Sequence, residues 1–254
     1  MRHTYLVPAV AAVLIAGMLP APAQNQQKGP PPLAPVRPYK PVAIVPPAAM
    51  TDAGFESLRQ QLVEASKRRD RAALAKLVVP QGFFWERENG EGADKRKTGI
   101  DNLSAALGLN NKDSAGWDML TGYADDPTAS ASPGHKSAIC APADPAYNAK
   151  EFDELIKTTQ TDFSEWAYPV SAGTDVLAKA QPEAPVVEKL GLAFVRVLPD
   201  SVAVSATYVR VIAPSGKAGY VPVDAIAPIG NDQLCYVKDG GGWKIGGYIG
   251  GGEP

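Results

Sequence analysis

Phe55, Leu58, Leu62 and Ala65 recur at three- and four-residue intervals, the period that gathers them on one side of an α-helix. Thr51 or Asp52 precedes them as a cap, and Lys67-Arg68-Arg69 follows where cations favour a helix C-terminus. Ala72, Leu74, Ala75, Leu77 and Val78 predict a second short helix that must stop before Pro80. Phe83-Phe84-Trp85 predicts a short strand against this pair, and the polar stretch 89–97 a loop. A third helix is expected over Gly99–Leu107 and a fourth over 115–123, the latter capped by Asp113 or Ser114 with Trp117 and Leu120 on one face. Residues 125–134 read as loop. A fifth helix is expected over 150–159, with Phe152, Leu155 and Ile156 inward. Together these predict a mainly helical region at residues 54–168.

From Val170 onward the pattern changes to short β-rich runs broken by Pro and Gly. The runs are 175–178, 186–190, 193–198, 207–213, 219–222 and 235–238. Pro214-Ser215-Gly216-Lys217 is a tight-turn signal between two of them. Asp239-Gly240-Gly241-Gly242 signals a hairpin between 234–238 and 243–249, because glycine accepts positive φ without steric cost. The expected fold class is α+β: a helical N-terminal region, a small β-barrel over 169–232, and a C-terminal β-hairpin and tail over 233–254.

The amino terminus carries an address. Met1-Arg2-His3 is a short basic start, residues 6–19 are almost wholly apolar, and Ala21-Pro22-Ala23 follows, the three-part pattern of a signal peptide over 1–23. The apolar stretch is shorter than the roughly 20 residues a bilayer span needs, and Pro8 interrupts it. No transmembrane span is therefore expected after cleavage, and the location is periplasmic or secreted. Pro30, Pro31, Pro32, Pro35, Pro38, Pro41, Pro46 and Pro47 mark residues 24–53 as an extended, mobile linker.

One tract carries a family resemblance. Thr174 to Ala180, Pro185 to Leu190 and Phe194 to Leu198 precede Tyr208-Val209-Arg210-Val211, the turn at Pro214–Lys217, and Gly219-Tyr220-Val221-Pro222 with Ala225-Ile226. An aromatic-x-basic-Val strand, a glycine turn and a Gly-aromatic-Val closing strand resemble a bacterial SH3-like (SH3b) domain. The resemblance implies a small barrel whose surface or edge carries Tyr208 and Tyr220, with Arg210 and Lys217 nearby as binding candidates. The whole chain also resembles exported bacterial proteins that place a helical region before such a barrel.

Composition narrows the chemistry. The chain has 254 residues, 45% hydrophobic and 20% charged, so it can bury a core. Its net charge is −2, or −3 once residues 1–23 and Arg2 are gone, which argues against a nucleic-acid partner. Cys140 and Cys235, an even pair in an oxidising compartment, read as a disulfide, with free buried thiols or a Cys140 nucleophile as alternatives. A nucleophile would need a base beside it, and His135 is the one histidine left after cleavage. One histidine cannot furnish the usual zinc set, so neither a metal site nor a cofactor is expected. Glu86, Glu88, Glu91 and Asp94 surround the aromatic cluster and leave open a glycosidase-like carboxylate pair. The leading functional expectation is an exported non-catalytic binder of a peptide, peptidoglycan or envelope protein, acting through the barrel or the barrel–helix seam. A cell-wall hydrolase using the helical region's carboxylates and a structural or stress-response envelope protein are the alternatives.

Overall fold

Regular structure begins inside the proline-dense segment. In the computed structural model, which describes residues 37–198 and 207–250, β1 (Ile44–Val45) is followed by α1 (Ala53–Lys67) and α2 (Arg71–Leu77). Next come β2 (Phe84–Arg87), β3 (Gly90–Glu91), α3 (Gly99–Leu107), α4 (Ala115–Asp125), β4 (Ser130–Ala131), β5 (Ala138–Ala141), β6 (Ala146–Tyr147) and α5 (Ala149–Thr159). The remainder is β7 (Trp166–Pro169), β8 (Thr174–Leu177), β9 (Val186–Leu190), β10 (Val195–Val197), β11 (Tyr208–Ile212), β12 (Ala218–Pro222), β13 (Ile226–Pro228), β14 (Gln233–Asp239) and β15 (Gly242–Ile249). The class is mixed α+β, and the described residues lie in one compact unit. The signal-peptide reading of 1–23 and the end of the tail lie outside the described residues.

Each helix starts where its sequence supplies an acceptor. Asp52, Asp70, Thr98 and Asn148 each accept a first-turn N–H, opening α1, α2, α3 and α5. Asp113 accepts the Ala115 N–H at the start of α4. Leu58, Leu62, Leu74, Leu103 and Leu120 then meet Tyr236, Ile245 and Tyr248 in one core, so α1 to α4 pack on the terminal hairpin.

That hairpin is the middle of a six-stranded sheet, ordered β3-β2-β15-β14-β5-β4. The expectation that it closes the barrel is corrected: it serves the helices, with β2 parallel to β15 and β5 antiparallel to β14. Gly240 and Gly241 adopt the positive φ values its turn requires. The region 54–168 is accordingly less helical than expected, since it contributes β2 to β6 and part of β7.

The strand-rich part forms a seven-stranded sheet, ordered β13-β7-β10-β11-β12-β8-β9. It is open: β13 pairs with β7 and β9 with β8, and none of the three sheets closes into a barrel among the described residues. Pro228 lies in β13 at one edge of the sheet, where proline is tolerated. Val176, Val195, Val211 and Val221 form a buried core on one side of the sheet. β7 begins at Trp166, three residues ahead of the boundary expected at 169.

The linker expectation fails for residues 37–50, which act as a strap. Val42 and Ile44 are buried against Phe152, Trp166 and Phe194 in a third core. Phe194 N–H donates to Val42 O and Ile44 N–H to Leu192 O, while Val45 pairs with Ala146. The Tyr39 hydroxyl lies 2.9 Å from Ile212 O and 3.1 Å from Phe194 O. At the strap's other end the Met50 N–H donates to Pro127 O beside α4. One short segment thus fastens the strand-rich part to the helical part.

Candidate binding cleft

α4 has two occupied sides. Trp117, Leu120 and Ala124 enter the helical core. Met119, Gly122, Tyr123 and Asp126, also at three- and four-residue spacing, face a cleft of about 630 Å³ at the seam with the strand-rich part. Pro46 and Pro47 of the strap form one wall. Tyr168 and Val170 from the end of β7, Ala227 from β13, and Asn231-Asp232 form the other. The volume falls in the range of small-ligand pockets.

Short polar links fix the walls. Asp126 Oδ1 accepts the Thr128 N–H and hydroxyl at 2.7 and 2.6 Å. The same hydroxyl oxygen accepts the Ala143 N–H at 2.9 Å, which ties the loop carrying the cis Ala141–Pro142 bond to the end of α4. Across the cleft, Tyr248 donates to Asp232 Oδ2 at 2.7 Å, and the Tyr123 and Tyr248 hydroxyls lie 3.1 Å apart. Asn231 donates its side-chain amide to Pro228 O.

These tyrosines are held protonated. Burial pushes Tyr248 far above the ordinary tyrosine range, and its bonds to Tyr123 and Asp232 add to the effect. Burial also raises Tyr123 and Tyr168, the latter with help from Asp144 and Asp126. Desolvation raises the Asp144 carboxyl although the residue reaches the surface, and the Gly230 N–H opposes it. The phenols therefore serve as hydrogen-bonding groups and ring surfaces at neutral pH.

Cys140 and Cys235 are joined by a disulfide and face each other across β5 and β14, Cα to Cα 4.0 Å. A Cys140 nucleophile is thereby overturned. His135 instead stacks on Phe84 at 3.6 Å between ring centroids, and its Nε2 lies 3.0 Å from Glu86 Oε2. Glu91 accepts the Trp85 and Ala93 N–H groups, and Asp94 pairs with Arg96. None of these carboxylates lines the cleft. Among the described residues, no three His, Cys, Asp or Glu side chains converge as a metal site.

The four residues singled out by the SH3-like pattern are brought together in part. Arg210 is the register partner of Tyr220, and Tyr208 stands two positions along β11, so all three share one face of the sheet. Val209, Val211 and Val221 occupy the opposite, core-facing side. Lys217 sits apart at the β11–β12 turn, donating to Val187 O at 3.2 Å. None of the four lines the seam cleft. Met119 and Tyr123 escaped notice in the sequence because the Trp117–Leu120 face already accounted for α4, and the adjacent Asp125-Asp126 pair reads there as a solvated surface. Among the described residues, no helix is long and apolar enough to cross a membrane. Comparison with protein-family models, curated proteins and solved structures finds no match.

Proposed function

We propose that the protein is an exported, non-catalytic binder that engages a peptide, a peptidoglycan fragment or an envelope protein at the seam cleft. The observation that carries this reading is the cleft itself. It is preformed, and its walls come from the strap, α4 and the strand-rich part together. Met119 is 42% exposed and Val170 47% exposed at its lining, apolar surface left uncovered beside hydrogen-bonding groups. The disulfide accords with an oxidising compartment. In this reading the residues flanking the SH3-like tract supply one wall, and the tract's Tyr208–Arg210–Tyr220 face offers a shallow second surface.

Gly122 provides the test. A Cβ there meets no atom within 4 Å, so this lining position has room for a side chain to start. Purified protein should be retained on isolated sacculi or on immobilised envelope extract, and Gly122→Phe should abolish retention while the unfolding midpoint holds. No retention of the native protein on either support overturns the proposal.

A hydrolase reading draws on the Glu86–His135 pair, a carboxylate and an imidazole in hydrogen-bond contact near the surface. It is disfavoured because the neighbouring Glu91 and Asp94 are engaged in holding the local loop. Release of soluble wall fragments by the native protein, lost in Glu86→Gln, would replace binding with catalysis.

A further inference from the structure

We propose that the seam cleft is selective for a primary ammonium carried on an apolar stem, such as a lysine side chain within a short peptide. The inference rests on the reading of the cleft as a ligand site and assigns the chemistry of its occupant.

The charge of the lining sets the sign. Among the described residues, Asp126 and Asp232 are its charged side chains, and no Lys, Arg or His lines it. A concave, partly desolvated surface of one sign concentrates ligands of the other and repels phosphate- or carboxylate-rich ones. Asp126 is placed to act directly. Its Oδ1 is engaged by Thr128, and among the described residues its Oδ2 has no hydrogen-bond partner. Asp232 Oδ2 accepts from Tyr248 and contributes charge at the opposite wall.

The remaining lining sets the shape. Met119 and Val170 stand exposed in the same space as the rings of Tyr123 and Tyr168. A methylene chain can lie on such a surface while its terminal ammonium reaches a carboxylate. Aromatic rings at the same site add cation–π attraction. The volume of about 630 Å³ exceeds what a lone ion needs and suits a few linked residues.

The test is calorimetric titration of the disulfide-bonded protein with three probes: N-acetyl-Ala-Lys-Ala amide, the same peptide acetylated on the lysine amine, and unblocked Ala-Ala-Ala amide. The lysyl peptide should bind, and acetylation of its amine should weaken it about tenfold or more, as expected for one charge-assisted hydrogen bond. Asp126→Asn, which keeps an Oδ1 acceptor for Thr128, should weaken the lysyl peptide similarly, and Gly122→Phe should abolish its binding. Equal affinity for the acetylated peptide, indifference to Asp126→Asn, or tighter binding of unblocked Ala-Ala-Ala amide would each overturn the assignment. So would no binding of any probe at millimolar concentration. If those results coincide with sacculus or envelope retention that Gly122→Phe abolishes, the cleft remains a binding site and only its ammonium selectivity falls.

Discussion

Trp243 donates its indole N–H to Asp52 Oδ1 at 3.1 Å across 191 residues of chain, and the same oxygen accepts the Phe55 N–H at 2.9 Å. One carboxylate therefore starts α1 and holds the β14–β15 hairpin against it. Lys238 adds an ion pair at 3.6 Å to the other oxygen and lies over the Trp243 ring.

This arrangement should make the joint acid-sensitive. The Phe55 N–H, then the Trp243 N–H and the Lys238 charge, lower the Asp52 carboxyl below its ordinary value of 3.8. Its stabilisation is thus present above that value and is lost as pH falls through the lower folded one. Asp52→Asn keeps an acceptor but no charge. The melting temperature of the variant should fall less steeply than that of the native protein between about pH 5 and pH 3. Parallel curves would show that the charge contributes nothing.

Gly99 and Gly122, both helical, should respond oppositely to alanine. A Cβ on Gly99 lies 1.9 Å from Val79 O, where the start of α3 passes against the chain after α2. Gly99→Ala should cost about 2 kcal/mol in urea unfolding despite the better helix propensity. Gly122→Ala meets nothing and should gain roughly 0.5–1 kcal/mol. A stabilising Gly99→Ala would mean that α3 is free to shift.

Reduction should weaken the fold without erasing its sheet. Cys140 and Cys235 are 95 residues apart in sequence, so the bond removes loop-closure freedom worth about 4–5 kcal/mol from the unfolded chain. The β5–β14 ladder keeps its own hydrogen bonds on either side of the bond. Denaturant midpoints with and without reductant should differ accordingly, with far-ultraviolet circular dichroism unchanged before the transition. Coincident midpoints would contradict a constraining bond.

Tyr39 should report on the strap. Tyr39→Phe leaves Phe194 O and Ile212 O without its hydroxyl and should cost about 1–2 kcal/mol. Burial raises the Tyr39 hydroxyl above its ordinary value of 10.0, as it does for Tyr236 and Tyr248. The stability such groups give is full below that value and drains away as pH rises beyond it, because the unfolded chain ionises first. Removing Tyr39 should flatten the alkaline decline in melting temperature. An unaltered decline would place the cause elsewhere.

Local pattern and long-range placement separate clearly in this chain. Phe55, Leu58 and Leu62 announce α1 because a core-facing stripe needs only neighbours on the same helix. The glycine turn announces the terminal hairpin for a similar reason. β5 stayed hidden because Ala138–Ala141 is four residues long and buried on both sides, so it lacks an alternating signature. Proline density concealed the strap, although Val42 and Ile44 alternate with exposed Ala43 and Val45. The cleft draws on residues from Pro46 to Asp232, a convergence created by tertiary packing, with no motif along the chain.

The parallel pairing of β15 with β2 has a consequence for the order in which the molecule can assemble. Gly247 pairs with Phe84, and Ile249 with Glu86, so the sheet beneath α1 to α4 has an empty centre until β15 is supplied. The early helices can form as nascent turns during synthesis, yet they have no floor to settle on. Folding of this part must wait for β15, and a chain halted before Trp243 would expose Leu62, Leu74 and Leu120 to every chaperone and protease it meets.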